Sequence, residues 1–300
     1  MAVPGQVRLG ALQIGASSDG TAATLDRLMA YRQELEDSRL DVLVLPEALL
    51  GGYPKGADFG ARLGYRTSDG REAYLDYWSQ AVELDGAEMS VLCTLAREVN
   101  SAIVAGIVER EGGTLYCTAV FITAAGELSG RHRKLMPTAV ERVVWGQATE
   151  LELTTMDTSA GRVGAAICWE NYMPLYRYAL YEKGIDVWCA PTVDDRDIWR
   201  ASMRHIAYEG RCFVVSACQV LPPATSALGR SITLRDRPED HPMIRGGSMI
   251  VSPLGEVLAG PLEATEGLLT AEVDLNDIVR ARFDLDVVGH YSRGELFHRR

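Results

Sequence analysis

Short apolar runs alternate with amphipathic stretches along the whole chain. In the first half, apolar runs bounded by polar or turn residues predict strands over 7–14, 41–45, 101–108 and 116–123. Apolar residues at helical spacing predict helices over 21–37 and 86–100. The turn Glu111-Gly112-Gly113 separates the last two strands, so we expect these strands to form a hairpin.

The second half repeats this rhythm. Its apolar runs predict strands over 163–167, 186–190, 212–217, 247–252 and 267–273. Helices are predicted over 174–183, 197–209 and 274–281, with Gly184 as a C-terminal cap and Asp274 as an N-cap. Because the alternation continues without a linker, we expect one α/β domain over 1–300, with two sheets flanked by helices. The pattern leaves the pairing of the sheets open.

Composition and charge narrow the classes of protein. The 300 residues are 47% hydrophobic, enough for a large core, and the formal net charge is −11. An acidic balance argues against nucleic acid and against anionic membranes as partners, since both attract clustered Lys and Arg. Residues 1–20 lack the pattern of a signal peptide, and no apolar window is long enough to span a membrane. We therefore expect a cytoplasmic protein.

The six cysteines show no C-x-x-C spacing, which argues against a zinc knuckle or a redox pair. In a reducing compartment we expect free thiols. A buried cysteine is usually a small core residue, so only its context can select one for chemistry.

Cys168 has such a context. It follows the predicted strand 163–167 directly and precedes a turn that leads into a helix. This places its sulfur at the carboxyl edge of a sheet, in a setting similar to the nucleophile elbow of hydrolases. The next residues, WENY, are polar and aromatic, and they suit a pocket better than a packed core.

Two further groups lie at or near strand ends. Glu47 follows the run DVLVL, and Lys134 lies in GRHRKLMPT. Taken alone, Glu47 is interpreted as a helix cap or a solvated carboxylate, and the basic run as a solvated face. Together with Cys168 they form a consistent set, in which the carboxylate takes the thiol proton and the ammonium stabilises a developing anion.

Three segments carry a resemblance to a known family. They are LPEALLGGYPKG (45–56), HRKLMPTAVERVVWGQ (132–147) and GAAICWENYMPLYRYALYEKGIDVWCAPT (164–192), and they closely resemble the three catalytic regions of nitrilases. DIWRASMRHIAYEGRCFVVSACQ, GGSMIVSPLGEVLAGP and DVVGHYSR are similar to the same family. The resemblance runs from about Val7 to Phe297, and the Trp-Glu pair after the cysteine resembles the nitrilase branch rather than amidases or carbamoylases.

The resemblance implies the four-layer α-β-β-α sandwich of the nitrilase superfamily. It implies that Glu47 is the general base, Lys134 the catalytic lysine and Cys168 the nucleophile. Glu141 matches a further glutamate that the superfamily keeps in its site. The backbone N–H of Trp169 would join Lys134 in stabilising the tetrahedral intermediate.

The resemblance also implies which residues lie near the pocket and which cofactors and partners to expect. The positions that match residues near the pocket are Tyr53, Trp169, Pro191 and Thr192. No metal or organic cofactor is expected. The expected partners are a small-molecule nitrile and further copies of the chain, in a homo-oligomer built from dimers.

Three features lack a family explanation. The chain ends soon after Phe297, whereas many nitrilases have a longer tail that helps build spirals, so the sequence does not predict whether long filaments form. Gly294 stands where relatives commonly have proline, and nothing in the sequence explains the change. The proline-rich segment 221–244 is interpreted either as an exposed connection or as a pocket wall or subunit contact.

Other functions compete with the nitrilase hypothesis. A Cys–His hydrolase would need a histidine beside Cys168, and His132 is the nearest to Lys134 in sequence; a role in structure or pocket lining is the other interpretation. An amidase, a carbamoylase or a cyanide-hydrolysing enzyme has the same expected fold. The last alternative is an oligomeric binding protein without activity, which the intact Glu47, Lys134 and Cys168 argue against.

Overall fold

Two β-sheets form the centre of the computed structural model, which describes residues 5–223 and 241–296. The thirteen strands found there are β1 Gln6–Gln13, β2 Val42–Val44, β3 Ala102–Glu111, β4 Thr114–Ile122, β5 Leu128–Arg133, β6 Thr155–Thr158, β7 Gly161–Ala165, β8 Val187–Thr192, β9 Phe213–Cys218, β10 Val220–Leu221, β11 Ile244–Val251, β12 Val257–Glu263 and β13 Gly267–Asp274.

Helices accompany these strands. The α-helices of the described residues are α1 Thr21–Ala30, α2 Arg32–Ser38, α3 Ser68–Gln80, α4 Ala87–Glu98, α5 Pro174–Glu182, α6 Asp197–Gly210 and α7 Asn276–Ala281. Short 3₁₀ helices span Ala139–Val143, Cys168–Tyr172 and Gly294–Leu296. None of the helices in the described ranges has the length and apolar character to cross a membrane.

Each of the two sheets has three parallel strands at its centre. The first has the strand order β13-β1-β2-β3-β4-β5, and the second has the order β10-β11-β9-β8-β7-β6 with β12 paired to β11. In the first sheet β1, β2 and β3 are parallel, and in the second β7, β8 and β9 are parallel. Chain segments that leave the carboxyl ends of parallel strands lie at one edge of a sheet, which is where α/β proteins bind ligands.

Alternating side chains build the layers of the first sheet. Val42 and Val44 of β2 belong to the core between the two sheets, together with residues of β7, β8 and β9. Leu43, between them in sequence, packs on the other face with Leu28 of α1 and Leu92 of α4. Both faces of the strand are therefore buried, which explains its unbroken apolar run.

The second sheet has the same arrangement. Val187 and Cys189 of β8 face the core between the sheets. Trp188 faces outward and packs with Leu180 of α5 and Met203 of α6. The layers therefore run helix, sheet, sheet, helix, and this confirms the expected four-layer sandwich.

Most predicted strands and helices are present, including the hairpin of β3 and β4. The single helix predicted over 21–37 is wrong, because the chain turns at Tyr31, whose N–H bonds to the Leu28 carbonyl 3.0 Å away and separates α1 from α2. The prediction of Asp274 as an N-cap is wrong, because Leu275 is the N-cap of α7. The Asp274 carboxylate nevertheless accepts a hydrogen bond from the Asn276 N–H at 3.0 Å.

Some elements carried too little apolar periodicity to be predicted. Helix α3 buries mainly Ala73 and Tyr77, and β12 is exposed along most of its length. Strands β5 and β6 are also largely polar. Of the proline-rich segment 221–244, residues 224–240 lie outside the described residues.

Candidate active site

Glu47 lies just beyond β2, where the chain crosses closely over β3. The Leu45 and Leu49 N–H groups donate to the carbonyls of Val104 and Gly106, each at 2.8 Å. A side chain at Gly106 would put its Cβ 2.3 Å from the Pro46 carbonyl oxygen and 2.5 Å from the Glu47 Cα. The glycine therefore permits the close approach that fixes the backbone of Glu47.

The second sheet also contacts this turn. The side-chain amide of Gln219, which follows β9, donates to the carbonyl of Glu47 at 2.7 Å and to that of Ala48 at 3.2 Å. Its oxygen accepts from the Ala16 N–H at 3.1 Å. Ala48 has a positive φ of 47°, a conformation that L residues rarely adopt. Gln219 thus stabilises a strained turn that carries Glu47.

Lys134 follows β5, and its backbone N–H donates to the Cys117 carbonyl at 2.8 Å. Its side chain is completely buried. The ammonium donates to Glu47 Oε1 at 2.7 Å and to Glu141 Oε2 at 2.9 Å. Sequence positions 47, 134 and 141 are therefore brought together around one buried cation.

Glu141 lies in the 3₁₀ helix Ala139–Val143 and is held by further donors. The Thr138 N–H reaches its Oε2 at 2.6 Å, and the Tyr53 hydroxyl reaches its Oε1 at 2.7 Å. Both carboxylate oxygens are therefore occupied. This leaves Glu141 suited to orienting Lys134 rather than to accepting a proton from a substrate.

Cys168 sits on a strained elbow three residues after the end of β7. It begins a 3₁₀ helix with a positive φ of 49° and is 3% exposed. The buried side-chain amide of Asn171 donates to the carbonyls of Ala166 and Cys168, both at 2.8 Å, and accepts from Trp188 Nε1 at 2.7 Å. Such strain persists where surrounding bonds hold it, and it is common at active sites.

The two oxygens of Glu47 differ in their surroundings. Oε1 accepts from Lys134 and lies 3.6 Å from the Cys117 sulfur. Among the described residues no donor satisfies hydrogen-bond geometry at the buried Oε2. The Cys168 thiol is close enough to this carboxyl to oppose, together with Lys134, the burial that raises the pKa of Glu47. One oxygen of Glu47 thus faces two donors, and the other is open to a further one.

Burial controls the protonation of these groups. Burial, with the negative charge of Glu47 second, raises the pKa of Cys168, so its resting form is the neutral thiol. Burial also raises the pKa of Glu47, although the Lys134 charge acts in the opposite direction. For Lys134 burial acts to lower the pKa, but the charges around it, led by Glu47, outweigh burial and hold the pKa well above its ordinary value.

A cleft of about 250 Å³ opens onto the cysteine. Its wall includes Tyr53, Glu141, Cys168 and Trp169. The Trp169 indole donates to Asp194 Oδ2 at 2.9 Å. A second, mainly apolar cavity of about 440 Å³ shares Tyr53 and Glu141 with the cleft. The site therefore combines a polar reacting end with apolar space beside it, as small-molecule sites generally do.

The four predicted pocket residues are placed differently. Tyr53 and Trp169 line the cleft. Thr192 is buried at the end of β8, and its side chain acts against the burial that raises the pKa of the Cys168 thiol. Pro191 is buried in β8 beside it and is not among the residues that line the cleft.

No histidine of the described residues lines this cleft. His132 is buried, and its ring nitrogens face the Glu170 carboxylate and the Glu152 carbonyl. His205 is on the exposed side of α6. The geometry therefore favours the structural interpretation of His132, and the charged groups that act on the Cys168 thiol are carboxylates and Lys134 rather than an imidazole.

Sequence reasoning missed several residues that hold the site: Cys117, Asn171 and Gln219. Cys117 and Gln219 contact Glu47 from distant parts of the chain, whereas Asn171 bonds within its own turn and to Trp188 of the neighbouring strand. Gln219 is the last residue of the segment DIWRASMRHIAYEGRCFVVSACQ, so the resemblance to the family could have drawn attention to it. Its position in the sequence does not indicate that it contacts Glu47.

Comparisons with known proteins agree with this fold. The model of the carbon-nitrogen hydrolase family matches residues 8–283. An aliphatic nitrilase of Sinorhizobium fredii is 48% identical over 292 residues, which cover 97% of this chain and 94% of that protein. Nitrilase 1 of Arabidopsis thaliana is 44% identical over 297 residues, or 97% and 86% of the two chains.

A bifunctional nitrilase/nitrile hydratase of Lupinus angustifolius is 45% identical over 295 residues, covering 97% of this chain and 84% of its own. Among solved structures, a carbon-nitrogen hydrolase from Helicobacter pylori G27 superposes with a TM-score of 0.76 at 17% identity, over 97% and 96% of the two chains. Nit3 of Saccharomyces cerevisiae superposes with a TM-score of 0.72 at 18% sequence identity, over 96% of this chain and 97% of Nit3. These structures share the fold.

Proposed function

The chain belongs to the nitrilase family of carbon–nitrogen hydrolases, and we propose that it converts an organic nitrile and two waters into a carboxylic acid and ammonia. The observation that carries this proposal is the buried Glu47 carboxylate. Lys134 occupies one of its oxygens, and the other has no donor among the described residues and can therefore accept the proton of Cys168. The named nitrilases that this chain resembles over 97% of its length support the same reaction.

The first step forms a carbon–sulfur bond. Glu47 takes the Cys168 proton as the sulfur attacks the nitrile carbon, and the proton passes to the nitrile nitrogen to give a thioimidate. Because the pKa of the thiol is raised, a free thiolate is disfavoured at rest, and the proton leaves as the bond forms. The raised pKa of Glu47 makes the carboxylate a stronger base for this transfer.

Two waters complete the reaction. Glu47 activates the first water, which adds to the thioimidate carbon and gives a tetrahedral intermediate that bears a hydroxyl, an amino group and the sulfur. Loss of ammonia leaves a thioester on Cys168. The second water then attacks this acyl-enzyme, releases the carboxylic acid and returns the thiol to the resting enzyme.

Lys134 stabilises the charge that develops during these steps. Its pKa lies well above the ordinary value, so it stays cationic. Its ammonium donates to Glu141 as well as to Glu47. The backbone N–H of Trp169 acts with Lys134 on the tetrahedral intermediate, and preorganised donors of this kind typically contribute about 10²–10³ in rate.

An amide is a chemically accessible side product. If the tetrahedral intermediate expels the Cys168 thiol instead of ammonia, the product is the amide. The printed name of the Lupinus angustifolius relative combines nitrilase with nitrile hydratase, which supports testing this branch. The ratio of acid to amide measures which group leaves first.

We extend the proposal to the organisation of the chain. Residues 1–300 form one carbon–nitrogen hydrolase domain, which the family match over 8–283 and the contacts of β1 with β9 and β11 support. The enzyme works in the cytoplasm as a homo-oligomer built from dimers. Its six free cysteines are consistent with a reducing compartment. Light scattering of the purified protein would measure the mass of the oligomer.

Ammonia release from a substrate panel tests the function. The panel contains aromatic, arylaliphatic and aliphatic nitriles, cyanide, N-carbamoyl compounds and the matching amides. We expect ammonia from nitriles in the wild type and none in Cys168→Ala. Cys212→Ala, which removes an equally buried but remote thiol, should keep the activity.

Each other outcome selects one alternative. Ammonia from amides alone would move the protein to the amidases. Ammonia from cyanide alone would identify a cyanide-hydrolysing enzyme. Ammonia from N-carbamoyl compounds alone would identify a carbamoylase. A folded protein that is silent on all substrates would favour the binding protein.

A further inference from the structure

The Glu170 carboxylate joins the two chain segments that carry Lys134 and Cys168. Its Oε1 accepts from the N–H of Leu135 at 2.6 Å, the residue directly after Lys134. Its Oε2 accepts from the N–H of Ile167 at 2.8 Å, the residue directly before Cys168. Glu170 is only 1% exposed, so water does not compete for these bonds.

His132 supplies the third donor to this carboxylate. Its Nε2 lies 2.9 Å from Glu170 Oε2, and the imidazole is 1% exposed and stacks on the Tyr176 ring with centroids 5.2 Å apart. Its other nitrogen faces the Glu152 carbonyl at 3.2 Å. Each nitrogen thus faces an acceptor, an arrangement that suits a protonated ring with two donors.

The protonation of the pair agrees with this geometry. Burial acts to raise the pKa of Glu170, but the His132 charge and the backbone donors outweigh it, and the pKa lies below the ordinary value. Burial acts to lower the pKa of His132, and Glu170 reverses this. The buried pair is therefore ionic and carries no net charge toward the neighbouring cysteine.

We propose that Glu170, held by His132, is a positioning residue that sets the spacing between Lys134 and Cys168 for the reaction. The inference rests on the proposed function for its consequence in turnover. Glu170 touches no reacting atom; it acts through the backbone on both sides of the site. A displacement of about 1 Å between reacting groups can cost on the order of 10² in rate, so such a tie has a large effect.

Glu170→Gln is the first test because it keeps the size of the side chain. A glutamine has only one oxygen, so it can accept from Leu135 or from Ile167 but not from both with good geometry. We expect kcat to fall by about ten- to a hundredfold with KM changed less than about threefold. Alkylation of Cys168 by iodoacetamide, followed by peptide mass mapping, should slow in parallel.

Glu109→Gln is the matched control. Glu109 is also 1% exposed and ion-paired, to Arg131 and Arg133, but it contacts neither Lys134 nor Cys168. We expect this variant to lower the melting temperature and leave kcat per folded enzyme within about threefold of wild type.

The double variant Glu170→Gln/His132→Gln separates charge balance from positioning. It leaves no unpaired charge in the core, so we expect it to melt higher than Glu170→Gln alone. Positioning by Glu170 predicts that kcat stays as low as in the single variant. Recovery of kcat together with stability would overturn the proposal, because the carboxylate would then serve only to balance His132.

The remaining outcomes are also decisive. Unchanged kcat and unchanged Cys168 alkylation in folded Glu170→Gln would overturn the proposal. If that variant does not fold, Glu170→Asp, which is one methylene too short to span both N–H groups, is judged by the same two rates. Because alkylation needs no nitrile turnover, it tests the positioning even if the proposed reaction fails in the wild type.

Discussion

Gln219 donates its side-chain amide to the backbone carbonyl of Glu47 at 2.7 Å, although 172 positions separate the two residues. The bond joins the end of a strand in one sheet to the turn after a strand in the other. It holds a turn whose next residue, Ala48, has a positive φ. The position of the proposed base therefore depends on how the two sheets pack together.

Replacing Gln219 with alanine tests this dependence. The change leaves the Glu47 carbonyl and the Ala16 N–H without a partner, and we expect a loss of about 1–3 kcal/mol in the free energy of unfolding together with at least about a tenfold lower kcat. Gln13→Ala is the control, because Gln13 is equally buried and bridges other backbone groups away from Glu47. Equal kcat in the two variants would contradict the role of Gln219.

Glu47→Gln should abolish most of the activity without unfolding the protein. The amide keeps the size of the side chain but cannot take the Cys168 proton, and general bases contribute about 10²–10⁴ in rate. We expect kcat to fall by that factor, measured as ammonia release by enzyme of verified melting temperature. Glu141→Gln, whose oxygens are already occupied, should lose less; an equal loss would mean that Glu141 shares the role of base.

The raised pKa of Glu47 predicts the acid side of the pH–rate profile. Protonated Glu47 cannot accept the thiol proton, so kcat/KM should fall as the pH drops through the pKa of the free enzyme. Because burial raises this pKa above 4.5, the midpoint should lie above that value. A midpoint at or below 4.5, in a pH range where the protein stays folded, would show that another group limits the reaction.

Gly106→Ala should damage both stability and activity. The new methyl carbon would lie 2.3 Å from the Pro46 carbonyl oxygen and 2.7 Å from the Ala48 nitrogen, and these backbone atoms cannot move without moving Glu47. We expect a cost of about 1–3 kcal/mol in thermal or urea unfolding and a lower kcat. Gly113→Ala, in the adjoining hairpin turn with open space around it, should be neutral in both.

The sequence predicted the fold best where strands are buried on both faces. Val42–Val44 and Val187–Thr192 are apolar runs because each face of the strand packs on another layer. Such a run can be recognised in the sequence without knowing which layer it packs against. Strand β12 is mostly exposed, so it had no such signal. The break at Tyr31 depends on the local turn of the backbone, which apolar spacing does not encode.

The candidate site was predictable to a similar degree. Glu47 and Cys168 follow strands, and Lys134 lies in a motif, so local context and the resemblance selected them. The contacts that hold them are different: Glu170 bonds to Leu135, and Gln219 bonds to Glu47, across long stretches of chain. Only the packing of the two sheets brings these pairs together, so spacing alone could not reveal them.

The covalent state of Cys168 during turnover tests the central claim most directly. Enzyme mixed with excess nitrile is quenched in acid within the first turnovers, digested and analysed by mass spectrometry. We predict that the Cys168 peptide gains the mass of the acyl or imidoyl group, and that Cys168→Ala neither gains it nor forms carboxylic acid. An adduct on another residue, or carboxylic acid formed at the wild-type rate by Cys168→Ala, would contradict the account.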